Sequence, residues 1–302
     1  VDLFCGTGGL GLAVGDLGEV VVSVDQSPHA QLWHQHNGLP GRFLCKNVLG
    51  LGGAELLPRG TGVWLSSPPC QPYTAKGLGR DLGDHRASTI PWLCGALREG
   101  LPEGLLVENV PPFGESEARG QLLETLAELG FEWAEHLLCP TDLGIPNRRR
   151  RYFLLARRGG APGRPDLTPL APRRTLQEYL LADPPAELWL AEAAAKRLEH
   201  ASDRVDPRQP GAVAACFSSA YGRQNLRSGS LLQLPDGRLR RFAPEEILAL
   251  LHYPGGCSFP TALNLEARYK LAGAAVNVEL VRRLVAALVA GLSGNPLPCG
   301  RG

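Results

Sequence analysis

The chain has 302 residues, 44% of them hydrophobic, enough to bury a sizeable core in one or two domains. Lys and Arg number 31 and Asp and Glu 30; the net charge of +1 excludes a generally basic nucleic-acid coat and leaves room only for a local patch. No apolar run is long enough to span a membrane, no signal peptide is visible, and the 8 cysteines form neither a C-x-x-C pair nor a zinc-spaced cluster.

The chain opens at Val1, already inside a strand-like run, and holds no Met, so the natural N-terminus is expected upstream. "VDLF" reads as a first strand running into the glycine-rich turn of "FCGTGGLGLA". "VVVSVD" is β-branched and reads as a second strand ending at Asp25. "SPHAQLWHQHN" follows as a helix, with Ser27 as N-cap and Pro28 in its first turn. "GVWLSS" is the next strand, and it leads straight into Cys70 on a loop stiffened by prolines on both sides. "GLLVEN" is another strand, ending in Glu108 and Asn109. "SEARGQLLETLAELG" shows helical spacing at Leu122, Leu126 and Leu129, with Gly130 as its stop. "RYFLLA" is a late strand entered through "NRRRR".

Strands alternating with helices imply an α/β fold with a mostly parallel sheet covered on both faces. Ligands in such folds bind at the carboxyl ends of the strands. After Arg158 the texture changes to the Pro-, Gly- and Arg-rich "RRGGAPGRPDLTPLAPRR", a linker or irregular arm. Residues 161–261 then show short mixed elements, expected to form a second, smaller domain. Near the end, Val278, Val281, Leu284, Val285 and Leu288 share one face of an amphipathic helix. Most cysteines sit in apolar surroundings, as in "HLLCP" and "AACFSS". They read as buried free thiols of a reducing, cytoplasmic setting, with the nucleus as a second compartment.

The chemistry concentrates in four places. Gly6, Gly8, Gly9 and Gly11 let the backbone turn sharply and approach a ligand beside a helix N-terminus. Asp25, at the end of the second strand, offers a carboxylate to both hydroxyls of a ribose. S-adenosylmethionine and NAD both use such a corner, and the rigid thiol decides between them. Carbon 5 of cytosine is a poor nucleophile until a thiolate adds at carbon 6. That reaction needs a strand-end cysteine, an acid at ring nitrogen 3, cations for the carbonyl, and a base out of its stack. Cys70 fits the first need. Glu108, desolvated at a strand end, fits the second, where burial would raise its pKa and let it carry a proton. Arg149 and Arg151 share a face and fit the third, while Arg148 and Arg150 read as a solvated basic edge.

"DLFCGTGGLG", "SPPCQPYT", "VENV" and "GIPNRRRRYF", in this order, resemble the motifs of the cytosine carbon-5 methyltransferases. The likeness runs through most of the chain. "CFSSAYGRQNLRSGSLLQ", "RRFAPEEILALLHYP" and "RYKLAGAAVNVELVRRLV" resemble one branch, which has a DNA-methyltransferase architecture but methylates a cytosine in the anticodon loop of aspartate tRNA. The resemblance implies a Rossmann-like S-adenosylmethionine-dependent methyltransferase domain over 1–160. It also implies a small target-recognition domain over 161–261 and a closing segment, 262–302, whose helix returns to the first domain. Cys70 would be the nucleophile and Glu108 the partner of ring nitrogen 3. Arg149 would bind near the base, with Arg151 in support. Phe4, Gly6, Gly8, Gly9, Asp25, Asn47, Val48, Pro69 and Asn277 would hold S-adenosylmethionine, with Asn47 and Val48 at the adenine. Gln71, Pro72, Asp84 and Arg86 would serve the substrate, the last two in a loop that closes over the flipped base. No metal is implied.

The expected partner is tRNA, with DNA as the alternative, no membrane, and a monomeric state. A nucleic-acid-binding protein of weak catalysis is the further alternative. One departure stands out: the family's Gly-Asn-Ser near the last helix is Gly273-Ala274-Ala275 here, which removes two polar side chains at the cofactor. A milder one turns the branch's Cys-Phe-Thr into Cys216-Phe217-Ser218.

Overall fold

Apolar side chains at both i and i+1 commit a strand to burial on two faces, and this builds the centre of the molecule. In β5 (Gly104–Asn109), Leu106 packs in one apolar cluster while Leu105 and Val107 pack in another. In β8 (Arg151–Arg158), Phe153 and Leu155 join the first cluster, and Tyr152, Leu154 and Ala156 the second. A computed structural model describes residues 1–69, 88–198, 203–223 and 228–292.

The large sheet also contains β1 (Asp2–Leu3), β2 (Val22–Asp25), β3 (Arg42–Cys45), β4 (Val63–Ser66) and β6 (Phe131–Leu138). Its order is β3-β2-β1-β4-β5-β8-β6. The first five strands are parallel, and β8 runs antiparallel between β5 and β6. The strand order reverses between β1 and β4, which places a crevice at their carboxyl ends. The glycine-rich turn leaves β1 there, and the proline-fixed thiol loop leaves β4.

Helices cover both faces. α1 (Gly9–Val14), α2 (Pro28–His36) and α8 (Val278–Val289) pack on the first cluster through Leu10, Trp33 and Val281. α3 (Thr89–Gly100) and α4 (Glu117–Glu128) pack on the second through Leu93 and Leu122. Ser27 caps α2 as expected, accepting from Ala30 N.

Three of these sheet and helix elements are additions to those expected from sequence. β3 is four residues long, and its apolar run, Phe43-Leu44-Cys45, is too short to declare a strand by itself. Pro91 stands within the first turn of α3 and masks its start. β6 is an edge strand whose alternation is broken by half-buried positions.

Between residues 204 and 241 the chain forms a second sheet, β12-β11-β9, from β9 (Arg204–Val205), β11 (Leu231–Gln233) and β12 (Leu239–Arg241). β7 (Asn147–Arg148) pairs with β10 (Ala214–Ala215), which ties this region to the entrance of β8. α5 (Glu192–Arg197) precedes this sheet in the chain, and a buried ion pair, Arg240 with Glu246 at 2.8 Å through both terminal guanidinium nitrogens, joins β12 to α6 (Pro244–Leu250). Segment 161–261 shares its core with the rest: Leu10, Leu155, Phe217, Phe242 and Leu284 belong to one cluster. The chain then returns through α7 (Leu265–Ala274) to α8, which is amphipathic as its spacing predicted.

Candidate active site

A cavity of about 440 Å³ opens where β1, β2 and β4 end, within the size range of small-molecule sites, roughly 300–1,000 Å³. Phe4, Gly6, Gly9, Asp25, Asn47, Val48 and Pro69 line it, as the sequence led us to expect. Thr7, Lys46, Ser67 and Thr89 line it too and were not foreseen.

The glycines of the turn have separate tasks. Gly6 adopts φ +50°, and a Cβ there would meet nothing within 4 Å, so its backbone is open to a ligand. Gly9 is packed instead: a Cβ would collide with the Tyr253 hydroxyl and with Val276 Cγ2 at 2.7 Å. Gly8 is a correction. It turns in the left-handed region before α1, faces Leu39 and His34, and is absent from the cavity wall. Phe4 also has positive φ, 56°, an uncommon conformation for a non-glycine residue, and its ring meets Trp92 edge-on.

The turn is held from below and from the side. Asp25 accepts from Gly6 N at 2.9 Å and from Ser27 N at 2.8 Å, and each oxygen keeps a second acceptor direction for a ribose hydroxyl. Thr7 shares a hydrogen bond of 2.6 Å with Tyr253, and its carbonyl accepts from Trp33 Nε1 at 2.9 Å. His34 is buried beneath the turn, and burial pushes its imidazole down to about 4. A carboxylate for the diol, apolar Phe4 and Val48, and an open glycine backbone fit S-adenosylmethionine.

Asn277 is the second correction. Its side chain caps α8 by accepting from Leu280 N and donates to Leu250 O, so it holds the helix and not the cofactor. Ala274, Ala275 and Val276 do reach the cavity wall, where the missing polar groups were anticipated.

Glu108 lies buried at the end of β5. It receives Ser67 Oγ at 2.7 Å on one oxygen and Arg151 Nε at 3.1 Å on the other. Asn109 donates to the Pro68 carbonyl at 3.3 Å and thereby steadies the start of the thiol loop. Cys70, Gln71, Pro72, Asp84 and Arg86 lie outside the described residues.

The four arginines alternate as read: Arg149 and Arg151 turn inward, Arg148 and Arg150 outward. The surroundings of the two inward arginines differ, however. Arg149, expected near the base, is buried and donates to Phe217 O at 2.9 Å and Gly273 O at 3.3 Å. Arg151, expected in support, is the one beside Glu108. Cys216 sits against both, its sulfur 3.4 Å from Arg149 Nη1 and 3.5 Å from Arg151 Nη2. Burial alone would raise this thiol, but the two guanidiniums outweigh it and the net shift is downward. The sequence placed Cys216 in an apolar run and in the block that resembles the branch's Cys-Phe-Thr, and neither reading shows the two arginines beside it. Among the described residues no His, Cys, Asp or Glu cluster suits a metal.

A family model described as C-5 cytosine-specific DNA methylase matches residues 1–187. A rat protein named tRNA (cytosine(38)-C(5))-methyltransferase is 27% identical, covering 95% of this chain and 98% of its own length. A Dictyostelium discoideum protein named DNA (cytosine-5)-methyltransferase is 25% identical, with coverage of 96% and 93%. The solved structure of the Dnmt2 methyltransferase of S. pombe superposes with a TM-score of 0.83 at 24% identity, over 97% of this chain and 98% of that one. At that identity it shows the fold alone.

Proposed function

The chain belongs to the family of C-5 cytosine-specific DNA methylases, S-adenosylmethionine-dependent methyltransferases, and from this premise we propose that the cytosine it methylates lies in tRNA, at position 38 of the anticodon loop. The observation that carries the reading is end-to-end similarity to relatives named for that reaction. A compact second sheet is in keeping with it, since splayed loop bases are read by shape and stacking and need less protein than a DNA groove.

Cys70 follows Pro68 and Pro69 past the end of β4 and acts as the nucleophile at carbon 6 of the base. Glu108 faces ring nitrogen 3 and the neighbouring amino group. Arg151 holds Glu108 and balances charge at the pyrimidine edge. Arg149 fixes the backbone around them. Asp25 would receive the ribose hydroxyls of the cofactor, and Asn47 and Val48, with Phe4 on the same cavity wall, would hold its adenine. S-adenosylmethionine supplies the electrophilic methyl group. Carbon 5, made nucleophilic by the thiolate, would take that methyl group with S-adenosylhomocysteine as the leaving group; water would then take the carbon-5 proton, and elimination would return Cys70 as the thiolate.

DNA is the second reading, favoured by the name of the Dictyostelium relative. Labelled S-adenosylmethionine offered with total tRNA and, separately, with genomic DNA tests the choice. Label in tRNA alone is expected; label in DNA alone overturns it. We place the protein in the cytoplasm as a monomer, with the nucleus as the alternative compartment. The six described cysteines are free, in keeping with a reducing setting. Imaging of the tagged protein and sedimentation test these two points.

A further inference from the structure

Ser67 stands between the two halves of the site. It lines the cofactor cavity, and its hydroxyl donates to Glu108 Oε2 at 2.7 Å. The other carboxylate oxygen, Oε1, faces Arg151 Nε at 3.1 Å. The terminal torsion of a glutamate is broad, so a donor on one oxygen leaves the carboxyl plane able to swivel. A second donor on the other oxygen fixes that plane.

The hydroxyl is itself well anchored. Ser67 N donates to Leu3 O at 3.2 Å, which continues the β1–β4 ladder. Pro68 follows and keeps Ser67 out of the helical region. Glu108 rises from β5, the neighbour of β4. The bond therefore ties the ends of adjacent strands across the mouth of the site. A hydroxyl also tolerates a change of proton at its partner, because it donates to a charged oxygen and accepts from a protonated one.

We propose that Ser67 is a positioning residue for methyl transfer: it sets the plane of the Glu108 carboxyl against the pyrimidine edge, and acts on rate through Glu108 and not through the cofactor. The inference rests on the methyl-transfer reading but not on the choice of nucleic acid.

The test is a double-mutant cycle on whichever of tRNA and duplex DNA the unaltered protein methylates. Ser67→Ala is expected to lower kcat about tenfold, the scale of one hydrogen bond to a charged group. KM for nucleic acid and Kd for S-adenosylmethionine should stay within about twofold, which also shows that the variant folds. Ser67→Thr keeps the hydroxyl and should restore most of the rate. On a Glu108→Gln background, Ser67→Ala should cost less than about twofold more. The proposal is overturned by an equal loss on both backgrounds, by an unchanged kcat, or by a loss of cofactor affinity as large as the loss of rate. A parent protein that methylates neither tRNA nor DNA overturns the methyl-transfer reading itself, and the proposal with it.

Discussion

Arg149 donates to the carbonyls of Phe217 and Gly273, which lie 68 and 124 residues away in sequence, while Arg151 meets Glu108. Arg149→Ala would take the charged donor from two buried carbonyls, leaving Phe217 O with the weak Cys216 S–H, and the stability lost should be about 3 kcal/mol. Urea denaturation of that variant checks the figure. Arg151→Ala should keep most of the stability and lose rate by on the order of 100-fold, the scale of a disabled acid–base group. Cys70→Ala should abolish methyl transfer and leave S-adenosylmethionine binding intact, measured by calorimetry, because the thiol attacks the base. The alternation of the four arginines was legible because a two-residue period is local. The division of labour between Arg149 and Arg151 was not, because the deciding carbonyls come from distant segments. The same holds for Cys216 and for Ser67, whose meaning lies in what they touch.

The α7–α8 junction lines one wall of the cofactor cavity, and α2 supports from behind the glycine turn that lines another. His34 on α2 is neutral in the fold, with its pKa lowered by burial to about 4 from an ordinary 6.5. The unfolded chain takes up that proton first. Its contribution is therefore complete above pH 6.5 and declines as pH falls toward 4, by up to about 3 kcal/mol. Urea midpoints of the parent and of His34→Phe at pH 7 and pH 5 should differ by that decline, because the opposing titration of buried Asp2 is common to both. At the other wall, Ala274→Asn with Ala275→Ser should tighten S-adenosylmethionine several-fold and leave the saturated rate unchanged. Each restored hydrogen bond is worth about 1 kcal/mol. Titration calorimetry with rates at saturating cofactor measures both. Gly273 itself has no such freedom: a Cβ would run into the Ser218 backbone, so the segments that begin "CFSSAYG" and "RYKLAGAAVN" meet there at backbone contact. The separate tasks of Gly6, Gly8 and Gly9 were invisible in "CGTGGLG", since one run of glycines serves ligand approach, turn geometry and packing alike. Asn277 was misread for a related reason. A polar residue beside a helix start can serve a ligand or the helix, and here it satisfies the helix.

The order of elements was readable over the first half of the chain, where apolar runs alternate with caps and turns. It faded where strands shorten to two or three residues and draw their hydrogen bonds from remote partners, as in β7 with β10. At this scale nucleic-acid binding should depend on a local basic track, since the net charge is only +1. Affinity for tRNA should fall steeply as salt rises, read from filter binding across a salt series. The single apolar cluster that runs from Leu10 through Phe217 and Phe242 to Leu284 has a further consequence. A shared interior opens as one unit, so heating should give one sharp calorimetric peak whose calorimetric and van't Hoff enthalpies agree. A ligand seated at one end then slows global opening everywhere: saturating S-adenosylmethionine should raise amide hydrogen-exchange protection around Phe242 together with that around Leu10. By the same logic, a fragment cut at residue 160 should emerge with its interior exposed, binding a hydrophobic dye and lacking a melting transition.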